Sequence, residues 1–210
     1  MQVLETVKKK WAGLPRWAKW LVVGVGVLAL GGGAAGLTVS ALKQGNPLWS
    51  SKQLGTGSLT IGRAGCFLTA LTIVANRLAG KVLTPDVAND IIVGANGFAG
   101  SNLNFVVAAQ ALGVRASESD RIRTGAGTFS AIKNAVDRTL DRGGLPIVHV
   151  DRTRDATGDH FIVIHQRLTD GSYKAMDPAN GKDITLSSAL TGMSDSKTYQ
   201  VVGVAPVFRS

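Results

Sequence analysis

Cysteine is the scarcest reactive residue of this chain: Cys66 stands alone among 210 residues. One cysteine excludes an intramolecular disulfide framework, so cysteine usage says nothing about redox compartment. Histidine is nearly as scarce, with only His149, His160 and His165. Neither HExxH nor CxxC occurs, and the histidines and the cysteine form no paired ligand motif, so neither a metal nor another cofactor is expected. Aromatic residues make up 6% of the chain, and no basic run is interleaved with them beyond residue 42, which argues against a nucleic-acid partner.

Charge is also missing from one long stretch. Leu21 to Leu42, LVVGVGVLALGGGAAGLTVSAL, carries no ionisable side chain. At about 1.5 Å per residue it matches the roughly 30 Å hydrocarbon core of a bilayer, so a transmembrane helix is expected over 21–42. Residues 1–20 form a basic leader in which Trp11, Trp17 and Trp20 sit beside lysine and arginine, as at a headgroup interface. Lys8 to Lys19, against Lys43 and Lys52 on the far side, predict a cytoplasmic N-terminus and an exported (periplasmic or extracellular) domain over 43–210. Val39-Ser40-Ala41 offers a competing reading as a cleavage site, but the apolar run is longer than a signal core. Gly32 and Gly36 form a GxxxG that permits a helix–helix dimer.

The net charge is +9. The 18 basic and 13 acidic groups of residues 43–210 leave a scattered +5, which suits anionic lipid or cell-wall polymers. Helices are predicted after Cys66, from Thr84-Pro85-Asp86, over Asn102–Leu112 and over Thr128–Arg142. The period then changes to that of strands: Leu145–Val150, His160–Gln166, Ser172–Met176 and Tyr199–Val207, with Thr169-Asp170-Gly171 as a hairpin turn. Helices first and an antiparallel sheet after predict an α+β domain.

The central stretch is Thr60–Leu78, TIGRAGCFLTALTIVANRL. Gly62 and Gly65 allow close backbone approach, and a thiol opening the helix lies at the positive end of its dipole, which favours thiolate. A buried cysteine acting as a small hydrophobe is the alternative, so a base and an orienting group must decide. His149 and His165 lie within strands. His160 follows the Gly158-Asp159 turn and opens a strand, the best position for a base. Asp177 closes the partner strand of the same hairpin and is expected beside His160.

The Gly65-Cys66 start, the GDHFIVI run around His160 and the YKAMDPANG run around Asp177 resemble papain-like cysteine peptidases of the bacteriocin-processing (double-glycine leader) type. The likeness is nearest to stand-alone relatives without a transporter and covers about Lys43 to Tyr199. The resemblance implies a papain-like α+β fold, with N-terminal helices and a C-terminal antiparallel sheet, here preceded by one transmembrane helix. It implies Cys66 as nucleophile, His160 as base and Asp177 as its orienting partner. It also implies an oxyanion-hole glutamine, placed at Gln44 in Gln44-Gly45-Asn46-Pro47-Leu48-Trp49, with Gln53 in reserve. Phe67 departs from the pattern, in which a small residue or a second glycine often follows the cysteine. The absence of a Walker-type motif excludes cleavage coupled to ATP-driven export in one polypeptide.

The resulting expectation is a membrane-anchored thiol hydrolase that cleaves peptide bonds and needs no cofactor. Its partners would be a lipid bilayer through residues 21–42 and a peptide substrate, membrane-proximal or part of peptidoglycan. Alternatives are a peptidoglycan endopeptidase of a phage or bacterium using the same triad, and a non-enzymatic virion or envelope protein on a peptidase-like scaffold.

Overall fold

A computed structural model describes residues 42–153, 159–194 and 197–210. Two short helices follow the turn-rich start: α1 (Ile61–Ala64) and, after Gly65 alone, α2 (Cys66–Ala79). Left-handed Gly80 ends α2. Thr84, Pro85 and Asp86 open α3 (Pro85–Gly94) as cap, first helical residue and first-turn acid. The two-residue strands β1 (Phe98–Ala99) and β2 (Asn102–Leu103) precede α4 (Phe105–Ala111), whose cap Asn104 accepts from the Val107 N–H. The short β3 (Val114–Ala116) leads to α5 (Phe129–Asp141), capped by Thr128 through the Ala131 N–H.

The rest is sheet: β4 (Leu145–Asp151), β5 (His160–Arg167), β6 (Tyr173–Asp177), β7 (Lys182–Leu186), β8 (Thr191–Ser194) and β9 (Lys197–Arg209). All pairings are antiparallel, in the order β3-β9-β4-β5-β6-β7-β8. A further pairing of β8 with β9 closes β9-β4-β5-β6-β7-β8 into a six-stranded barrel. The 13 residues of β9 make closure feasible, because its first part pairs with β8, its middle with β4 and its end with β3.

Strand alternation sorts the apolar side chains into two cores. One face of the barrel strands, with Ile147, Val163, Met176 and Ala205, packs against Leu68 and Leu71 of α2 and against α4. The opposite face, with Val148, Ile162, Ile164, Ala175 and Val201, forms the second core with Ile132 and Val136 of α5. Strands covered on both faces lose alternation in sequence, which is why LPIVHV reads as continuously apolar.

Two expectations are corrected here. The chain does not form the papain-like α+β fold of helices followed by a C-terminal sheet; it forms a closed antiparallel barrel with few helices against it. Four predicted strands suffice only for an open sheet. The barrel is completed by Lys182–Leu186, three of whose five residues are exposed, and by Thr191–Ser194, both too polar to be read as strands. The localisation, single-pass in a membrane with the N-terminus cytoplasmic and the catalytic domain exported, is corrected as well. Among the described residues no helix is long and apolar enough to cross a membrane. The longest, α2, has 14 residues, about 21 Å at the helical rise. Residues 21–41 of the expected span lie outside the described residues. Its last residue, Leu42, packs against the first core of the barrel domain.

Candidate active site

Cys66 is the first residue of α2, and its thiol is free and half-buried. Two glycines set its position. A Cβ on Gly62 would lie 2.8 Å from Ser50 Cβ, and one on Gly65 would lie 2.5 Å from the Ile61 carbonyl oxygen. Only glycine allows α1 to pack against the 46–50 turn and pass so abruptly into α2.

His160 and Asp177 come from the β5–β6 pair. The register sets Val163 against Met176, so Asp177 lies across from Ile162 and His160 reaches it diagonally along one face. His160 Nε2 and Asp177 Oδ1 are 2.6 Å apart, and both side chains are buried, His160 at 2% exposure and Asp177 at 0%. The Cys66 sulfur lies near the same ring, close enough to act on its protonation. With Nε2 on the carboxylate, Nδ1 is the nitrogen left for sulfur.

Burial pushes the His160 pKa down. The Asp177 hydrogen bond, the neighbouring Cys66 sulfur and the carboxylate charge outweigh it and raise the ring from 6.5 to about 9. Burial likewise pushes the Asp177 carboxyl up, and the His160 hydrogen bond and charge overcome this and hold it below its ordinary value. Ala179 N–H donates to Oδ1 and the Tyr199 hydroxyl to Oδ2, each at 2.8 Å, and both favour the carboxylate. At neutral pH the site therefore holds an imidazolium between a carboxylate and a sulfur.

The two glutamines part company. Gln44 donates its backbone N–H to Pro178 O at 2.8 Å, beside Asp177, and its side-chain Nε2 to Gly62 O at 3.1 Å, four residues before Cys66. It thus ties the Asp177 loop to the approach of the cysteine helix. Its Oε1 is buried without a hydrogen-bond partner. The turn that carries it is locked by Trp49, whose indole N–H donates to Lys43 O at 2.9 Å. Gln53 is exposed and donates to Gly57 O within its own turn.

His149 and His165 serve elsewhere. His149 Nδ1 bonds the Thr124 hydroxyl, and its ring stacks on Phe161. His165, the extra residue of a bulge in β5, bonds Asp183 at 3.1 Å and has its pKa lowered chiefly by burial and by the Arg77 charge. Among the described residues, no group of three His, Cys, Asp or Glu is placed to hold a metal ion.

Tyr199 and Arg152 were not legible as site residues in the sequence. The Tyr199 ring lies 6.1 Å from that of His160, and besides bonding Asp177 its hydroxyl meets Arg152. The Arg152 Nε–H is shared between both Asp159 oxygens at 3.0 Å. A chain of polar contacts therefore runs Asp159, Arg152, Tyr199, Asp177, His160, Cys66. A tyrosine in an apolar strand reads as core, and the one available hint was a pair of opposite charges, Arg152 just after β4 and Asp159 just before β5. Set against known proteins, the chain matches no family model, and no curated protein matches it.

Proposed function

We propose that this protein is a thiol hydrolase that cleaves peptide bonds through Cys66, His160 and Asp177. The observation that carries the reading is the His160 ring, bonded on one nitrogen to a buried carboxylate and set beside a half-buried cysteine at a helix N-terminus. A purely structural histidine has no use for a free thiol there, and a ring held protonated is a poor core residue.

The chemistry follows from that state. Cys66 sulfur, paired with the imidazolium, attacks the peptide carbonyl carbon, and the carbonyl π electrons move onto oxygen. Gln44 Nε2 carries two hydrogens, of which Gly62 O takes one, and the second is the donor for that oxyanion together with the Cys66 N–H. The tetrahedral intermediate collapses, the C–N bond breaks, and His160 gives its proton to the departing amine. The acyl group stays on sulfur as a thioester. Water then attacks the thioester carbon as the neutral ring takes its proton, and the C–S bond breaks to restore the pair and release an acid. Asp177 holds the ring orientation and stabilises its charge throughout.

The test is incubation of the full chain with a peptide library, followed by mass spectrometry, beside Cys66→Ala and His160→Ala proteins. Fragments from the native chain alone are the expected result. Equal fragments from Cys66→Ala would overturn the reading.

A further inference from the structure

A cleft of about 280 Å³ lies between the 121–124 segment and the face of β4, β5 and β9 that looks toward α2. The 121–124 wall is fixed in place. Ile122 exchanges two backbone hydrogen bonds with Val204, at 2.8 and 2.9 Å. A Cβ on Gly203 would come within 2.9 Å of Ile122 O, so the segment needs glycine there to sit so close.

His149 and Phe161 line the facing wall, and their rings begin a stack that runs behind it to Phe67 and Phe105. His149 stacks on Phe161 at 4.2 Å, Phe161 on Phe67 at 4.4 Å, and Phe67 on Phe105 at 5.6 Å. Phe161 immediately follows His160, and Phe67 immediately follows Cys66. Through the Phe161–Phe67 stacking, the cleft wall is therefore linked to the residue that follows the proposed nucleophile. The phenylalanine that departs from the peptidase pattern is the middle of this stack.

The charge in the cleft has one sign. Arg121 and Arg123 both line it, and the same carboxylate, Glu118, serves both at 3.3 and 3.0 Å. Two guanidiniums on one glutamate leave an unbalanced positive charge. The Arg121 guanidinium is fixed over the Phe67 and Phe105 rings at 5.4 and 5.5 Å, whereas the Arg123 side chain is 66% exposed. Two guanidiniums at the edge of a cleft lined by the His149 and Phe161 rings suit a side chain with an apolar stem and a carboxylate end, and repel a cation.

We infer that this cleft is the substrate subsite for an acidic side chain near the scissile bond, with Arg123 as its specificity-determining residue. The inference rests on the peptide-hydrolase reading.

Its test does not need turnover. The full chain carrying Cys66→Ala is mixed with a pool of randomised peptides, and the captured peptides are sequenced by mass spectrometry. Glutamate is expected over glutamine at one position by about tenfold, a charge-assisted hydrogen bond's worth of discrimination. Adding the exposed substitution Arg123→Glu is expected to abolish that preference and favour lysine. Equal capture of glutamate and glutamine peptides, enrichment of aromatic side chains instead, or an acid preference that survives Arg123→Glu each overturns the subsite. Capture of acidic peptides by Cys66→Ala with no cleavage of them by the native chain would sink the hydrolase reading and leave the acidic-peptide site standing. Cleavage without any acid preference would do the reverse.

Discussion

Tyr199 donates its hydroxyl hydrogen to Oδ2 of Asp177, the carboxylate oxygen that His160 does not use. The aspartate is thus held on both oxygens while fully buried. Tyr199→Phe removes one of these donors and keeps the ring, so it costs about 1–3 kcal/mol of stability. It also moves the Asp177 pKa upward. A positioning role predicts that the acid limb of the pH–rate profile shifts to higher pH and that kcat falls more than KM changes. A merely structural tyrosine would lower the melting temperature and leave the profile in place.

The raised His160 pKa fixes the alkaline side. The ring supplies the proton to the leaving amine, so kcat/KM should fall as pH rises through about 9. Stability follows the same sign: the ring's contribution is complete below its ordinary value of 6.5 and disappears as pH rises through about 9. Asp177 behaves oppositely, contributing above its ordinary value and losing its contribution as pH falls through its lowered pKa. Urea denaturation of native and His160→Ala proteins across this range checks both signs. The two stability curves should converge on the alkaline side.

Gln44 and Gln53 should separate in kinetics. Gln44→Ala keeps the backbone bond to Pro178 O and removes the oxyanion donor, and a loss of about 100-fold in kcat is expected. Gln53→Ala touches only an exposed turn and should hydrolyse peptides at the native rate. Equal rates for the two variants would remove Gln44 from the oxyanion site.

Gly65→Ala should misplace the thiol. Its Cβ would meet Ile61 O at 2.5 Å and Ile61 Cγ2 at 2.9 Å, so α1 and α2 must move apart, at a cost of about 1–3 kcal/mol. Denaturant midpoints and the rate of Cys66 alkylation should fall together, whereas Gly80→Ala, whose added Cβ meets nothing within 4 Å, should affect only stability through its left-handed backbone.

The local parts of this structure were legible because each has a local cause. Thr84-Pro85-Asp86 opens a helix in sequence and in space, and so does Thr128. The Thr169–Gly171 turn sets the register that brings His160 to Asp177. The barrel was not legible, because its closure depends on β7 and β8. These are short strands, KDITL and TGMS, in which lysine, aspartate, threonine and serine break any apolar run, and they become strands by pairing with neighbours already in place. Nor was Phe67 legible as the ring packed behind a cleft wall, since its partners Phe105 and Phe161 lie far along the chain and meet only in the packed fold.

The central claim is that His160 and Cys66 act as one pair, and the rate of Cys66 alkylation by iodoacetamide at neutral pH tests it most directly. The native chain should react at least about tenfold faster than free cysteine, and His160→Ala should lose that advantage while remaining folded by circular dichroism. A native thiol no more reactive than free cysteine, or one whose reactivity survives His160→Ala, would contradict the account.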